Sequence, residues 1–117
     1  MKNKTKTRTL SANYMDIVFS KNADIQWRVK EDSMVEVDMV NKGFFNSIAQ
    51  NFFHRPRVSH IALDKYGSTL WFALDGTATV NDLLSKMNQA FPTESDKMLN
   101  RLVQFLTTLE KWEFIQR

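Results

Sequence analysis

Arg101, Phe105, Thr108 and Trp112 follow one another along the last amphipathic stretch of the chain, each three or four residues after the one before. On a helix that spacing gathers side chains along one flank. Two aromatic rings edged by a cation and a hydroxyl suit the holding of another molecule rather than the breaking of bonds. Taken singly, Phe105 and Trp112 read first as core side chains and Arg101 as a solvated charge, and the grouping is what draws attention. Residues for covalent chemistry are wanting. The chain has no cysteine, which excludes disulfides, iron–sulfur clusters and thiol catalysis. His54 and His60 are its two histidines, and no carboxylate stands at a ligand-like spacing, which argues against zinc. Neither a Gly-rich phosphate loop nor a G-x-S-x-G turn occurs. The expectation is a non-enzymatic chain without cofactor or metal.

Several elements must position that flank. A chain of 117 residues fits one domain with a real core. Hydrophobic residues at 43% and charged residues at 25% are ordinary globular values, and nine Phe and three Trp supply bulk for the interior. No apolar run approaches the roughly 18 residues of a membrane span. Asp16 interrupts the apolar stretch behind the basic start, which argues against a secretory signal. A cytoplasmic protein is expected. The net charge of +3 is unevenly spread. Residues 1–30 hold seven Lys/Arg against Asp16 and Asp24, and the remainder holds nine against eleven Asp/Glu. The basicity sits in the N-terminal part, and the rest is faintly acidic.

Residues 1–12 are polar, Lys/Thr-rich and without period. A flexible basic tail is expected over 1–22, ahead of one domain over 23–117. "NYMDIVF" suits a short helix or a strand equally. "WRVKEDSMVEVDMV" reads as a hairpin turning at Asp32–Ser33, with Val35, Val37 and Met39 on one face and Glu36 and Asp38 on the other. "NKGFFNSIAQNFFHRP" changes period: Phe44, Phe45, Ile48 and Phe52 fall at helical spacing between Gly43 and Pro56, so a short inserted helix is expected over 43–53. "RVSHIAL" returns to β-type residues. Asp64 can cap a helix over about 64–74, which Gly76 ends. Thr79 and Asp82 form a capping pair for a second helix with Val80, Leu83, Leu84, Met87 and Phe91 as its stripe. The last helix, about 94–112, carries Met98, Leu102, Phe105, Leu109 and Trp112, and "EFIQR" closes the chain as strand or coil. The expected fold is α+β and winged helix-turn-helix-like: a small antiparallel β-sheet followed by three α-helices.

The segments "LDKYGSTLWFALDGTATVNDLLSKM" and "RLVQFLTTLEKWEFI" resemble the PqqD-like family, the relatives of pyrroloquinoline quinone biosynthesis protein D. Asp64 opening a helix, Gly67, the pair Leu70–Trp71, Asp75–Gly76 and Val80–Asp82 match the family pattern in order and spacing. The final "WEFI" matches its "GFI"-type ending, with Glu113 where the family has Gly. The resemblance covers about residues 58–116. It implies a peptide-binding domain, a RiPP recognition element that takes the leader of a ribosomally made precursor as an added strand. The leader is then presented to a modifying enzyme, often a radical S-adenosylmethionine enzyme. The peptide-binding positions it suggests are Val58, His60, Ile61 and Ala62 on an edge strand, and Arg101, Gln104, Phe105, Thr108 and Trp112 on the last helix. Such a flank suits an acidic, amphipathic leader. The inserted helix and long N-terminus favour a product other than pyrroloquinoline quinone. Trp71, one position off the buried side of its helix, is expected under the inserted helix or at a surface.

The rival reading is a winged-helix DNA-binding regulator. Its recognition helix should be basic, because phosphate contacts supply most non-specific affinity. Asp82 balances Lys86 in the second helix, and Glu94, Asp96 and Glu110 balance Lys97, Arg101 and Lys111 in the third. Nucleic acid is therefore disfavoured as a partner. A homodimer through an exposed edge strand or the N-terminal arm stays open.

Overall fold

The computed structural model describes residues 13–40 and 58–117. Structure begins earlier than the composition suggests. Tyr14–Asp16 form a 3-10 turn, and strand β1 (Ser20–Lys21) follows. Tyr14 and Phe19 are buried in the core, so residues 13–22 belong to the domain and not to a tail. Polar and basic neighbours hide these two rings from any composition-based reading, yet burying each one removes a large apolar area from water. The inserted helix expected over 43–53 lies outside the described residues.

Alternation builds the main sheet. Strands β2 (Trp27–Val29) and β3 (Val35–Val40) form the hairpin, turning through Ser33 at φ 71°. Strand β4 (Val58–Ala62) pairs antiparallel with β3, giving the order β2-β3-β4. Paired residues share a face. Trp27 opposite Val37, and Val37 opposite Ile61, therefore set the inner face, while Arg28, Glu36, Asp38 and His60 set the outer one. Val35 and Val37 are fully buried, as the period of two requires.

Helix α1 (Lys65–Ala73) starts at Asp64, whose carboxylate accepts from the Gly67 N–H at 2.8 Å. Ser68 locks this helix to the sheet. Its hydroxyl accepts the Val35 N–H at 2.9 Å and donates to the Leu63 carbonyl at 3.2 Å. Trp71 is fully buried and meets Trp27 edge-on at 5.8 Å between ring centroids. It is a core residue rather than a surface one. The "DGTAT" turn places Gly76 at φ 82°, a conformation that costs a glycine little. Asp75 accepts from the Thr77 and Ala78 N–H groups in this turn.

Helix α2 (Val80–Ala90) carries the expected capping box, with Thr79 and Asp82 each bonding the other's backbone N–H. A 3-10 turn at Pro92–Glu94 leads into helix α3 (Ser95–Lys111). Met98, Leu102, Leu106 and Leu109 of α3 are buried against Leu83 and Met87 of α2 and the rest of the core. Each such side chain contributes roughly 1.5–3 kcal/mol by leaving water.

Helix α3 ends in a paired-bond cap: the Glu113 N–H donates to the Glu110 carbonyl and the Phe114 N–H to the Leu109 carbonyl. This Schellman arrangement requires a left-handed residue, and Glu113 supplies it at φ 64°. Strand β5 (Ile115–Gln116) then pairs with β1. The antiparallel sheets and three helices make the α+β, winged-helix-like fold that the element order implies.

Candidate functional site

The outer edge of β4 is set by arithmetic of the ladder. Leu63 donates its N–H to Val35, while Asp38 donates its N–H to Gln26 of the opposite neighbour. Antiparallel bonding alternates along a strand. Ile61 and Ser59 therefore bond inward to Val37 and Met39, and the main-chain groups of Val58, His60 and Ala62 point to the outer edge. Among the described residues no strand pairs with that edge. The side chains of Val58, His60 and Ala62 are exposed, whereas Ile61 is half-buried against the core.

The outer face beside this edge carries an ion-pair chain. Arg28 donates to Glu36 and to Asp38, each at 2.6 Å, and His60 Nδ1 lies 2.6 Å from the other oxygen of Asp38. The hydrogen bonds from Arg28 and then His60 hold the Asp38 carboxyl below the usual carboxylate range. Such exposed pairs contribute little stability. They do fix the orientation of the His60 ring beside the open ladder.

On α3, Arg101, Gln104, Phe105 and Thr108 line one cavity of about 300 Å³. Their spacing of three and four residues puts them on a single face. Trp112 lies a turn beyond, exposed and edge-on to Phe114 at 5.9 Å, outside that lining. Phe105 links cavity and strand. A methyl placed on Gly67 would come within 3.2 Å of Phe105 Cε1 and 3.3 Å of Leu63 Cβ. Gly67 thus lets the ring sit against the junction between β4 and α1.

Two residues of this region escaped the sequence reading. The Glu94 carboxylate accepts from Arg101 Nη1 at 2.6 Å and from the Tyr66 hydroxyl at 2.5 Å. The Arg101 guanidinium lies 4.2 Å from the centroid of the Tyr66 ring, within cation–π range. Tyr66 packs in turn on Phe91 at 4.6 Å. Hydrogen bonds from Arg101 and Tyr66 hold the Glu94 carboxyl down, and Glu94 raises Arg101. In the sequence Glu94 enters only as a charge of the last helix, and Tyr66 is given no part in the site. The spacing of Glu94 and Arg101, two turns apart, was the available signal.

The family model described as coenzyme PQQ synthesis protein D (PqqD) matches residues 55–115. The chain belongs to the PqqD family. No curated protein and no solved structure matches it significantly. The PqqD match takes in β4, the three helices and the cavity, and ends at Ile115, two residues after the left-handed Glu113. Among the described residues there is no group of His, Cys, Asp or Glu able to hold a metal ion. No helix among them is long and apolar enough to cross a membrane.

Proposed function

We propose that the protein is a non-catalytic subunit that binds the leader of a ribosomally made precursor peptide and presents it to a modifying enzyme, such as a radical S-adenosylmethionine enzyme. Membership of the PqqD family supports a part in coenzyme PQQ synthesis or in a related peptide maturation. The observation that carries the reading is the row of outward main-chain groups at Val58, His60 and Ala62, one residue beyond which Leu63 meets the Gly67–Phe105 contact. An incoming strand gains affinity from that ladder and specificity from side-chain pockets beside it. The cavity lined by Arg101, Gln104, Phe105 and Thr108 offers such a pocket.

The DNA-binding alternative loses ground on the same residues. Arg101 is engaged by Glu94 rather than directed at a phosphate backbone. Titrating isotope-labelled protein with the synthetic leader of a candidate precursor tests the proposal. Backbone shifts concentrated at 58–63 and 97–112 are expected. Binding to random duplex DNA with a steep salt dependence, and none to peptide, would overturn it.

A further inference from the structure

The cluster of Tyr66, Glu94 and Arg101 converges from three elements at the edge of the α3 cavity. Tyr66 comes from the first turn of α1, Glu94 from the 3-10 turn before α3, and Arg101 from α3 itself. Both Glu94 oxygens are engaged, one by the guanidinium and one by the phenol. The ring of Tyr66 supports the guanidinium plane from beside it, and Phe91 backs that ring. Arg101 and Glu94 are also partly shielded, with side-chain exposures of 29% and 30%.

The bond to Glu94 uses Nη1 of Arg101. A guanidinium carries five N–H groups in a rigid fork, and its Nε and Nη2 donors form a parallel pair matched to a carboxylate. Arg101 also lines the cavity alongside Phe105, Gln104 and Thr108. The cavity thus combines an oriented cation, an aromatic wall and polar groups. Lys65, with Nζ 5.2 Å from the Tyr66 ring centroid, adds a second positive charge nearby. Glu94 and Asp64, whose carboxylate lies by Gly67 next to Phe105, offset the two cations, so a preference for an acid rests on the aim of the guanidinium rather than on net charge.

We infer that Arg101 is a specificity-determining residue for an acidic side chain of the bound peptide, and that Tyr66 and Glu94 are the positioning residues that aim it. The inference rests on the peptide-binding reading above and deepens it. The Nε–Nη2 edge receives the peptide carboxylate, and Phe105 packs a neighbouring apolar side chain. Lysine in place of Arg101 keeps the charge but loses both the fork and the stacking on Tyr66.

Selection of a display library of random peptides on the full-length protein, followed by titration of a selected peptide, tests this. Selected sequences should carry Asp or Glu at a fixed distance from an apolar residue. Replacing that acid by its amide should weaken binding to the native protein about tenfold. With Arg101→Gln the acid and amide peptides should bind nearly alike, and with Arg101→Lys the preference for acid should shrink without vanishing. Tyr66→Phe, which keeps the ring but loses the bond to Glu94, should lower the preference for acid about threefold while amide-peptide binding stays unchanged. A merely structural role for Tyr66 would weaken both peptides together, and that result would overturn its assignment as a positioning residue. Peptides that shift residues 58–63 yet show no acid preference would overturn the inference and leave the peptide-binding reading standing. Selection of no peptide at all would overturn both.

Discussion

Strands β2 and β4 both present main-chain groups at an edge of the same sheet, and their surroundings differ. In β2, Lys30 donates to Met34 and Gln26 accepts from Asp38, so the groups of Trp27 and Val29 point outward by the same alternation that frees Val58, His60 and Ala62. Beside β2 the space is taken. Trp27 lies edge-on to Trp71 and Phe72, and Lys21 Nζ sits 5.6 Å from its ring centroid. Trp27, Val29 and Phe72 remain 39%, 51% and 51% exposed, an apolar surface with, among the described residues, no oriented cation in it like Arg101. Beside β4, Leu63 leads to the Phe105 wall of a cavity with an oriented cation. An open ladder alone can accept any extended chain. A cavity at its flank gives it something to choose with.

The sharpest way to break this comparison is proline scanning of the two edges. Proline removes an N–H donor and is tolerated where that donor faces outward from an edge strand. His60→Pro should leave the fold intact and weaken leader binding by about a hundredfold. Val29→Pro removes the equivalent group from β2 and should leave leader binding unchanged. Calorimetric titration of both variants checks this, and equal losses would erase the distinction between the edges.

Phe105→Ala tests the cavity rather than the ladder. Phe105 is half-buried against the core, so the variant should lose about 2 kcal/mol of stability, below the usual cost of a fully buried ring. Leader affinity should fall about tenfold at a temperature where the variant is still folded. Denaturant unfolding and titration of the same sample separate the two effects.

Glu113→Gly lies outside both strands and outside the cavity lining and should divide stability from binding. Replacing a non-glycine residue in the left-handed region should stabilise the fold by about 1 kcal/mol and leave leader affinity unaltered. A change in affinity would mean that the α3 terminus takes part in recognition.

The smallest effect concerns acid. Hydrogen bonds from the Thr77 N–H, the Ala78 N–H and the Thr77 hydroxyl hold the Asp75 carboxyl down to about 2. In the unfolded chain it titrates near the ordinary value of about 3.9. A folded pKa below the unfolded one contributes stability that is complete above the unfolded value and is lost as pH falls through the folded one. Asp75→Asn should therefore lose less thermal stability than the native protein as pH drops from about 4 to about 2.

Much of the scaffold is legible in local patterns. The alternation of Val35, Val37 and Met39 and the box of Thr79 and Asp82 depend on neighbours a few residues away, and both appear where the sequence places them. The lining of the cavity is likewise a helical spacing. What escapes is tertiary. Tyr14 and Phe19 lie in a stretch without period, and β1 takes its partner from β5, far along the chain. The joining of Tyr66, Glu94 and Arg101 needs three elements brought together. The backbone demand at Glu113 is hidden because the residue there is not glycine.

The Ser68 hydroxyl stands between the Val35 amide and the Leu63 carbonyl, at the point where β3 and β4 would otherwise exchange a second bond. Losing the hydroxyl while α1 stays packed would leave both backbone groups unpaired and shielded from water, a cost of about 1–3 kcal/mol for each. In the proposed binding mode, the strand that pairs with the peptide is thus braced from behind in the free protein. The entropy lost on docking falls on the guest, and peptides already inclined to extended conformations should dock with the least loss.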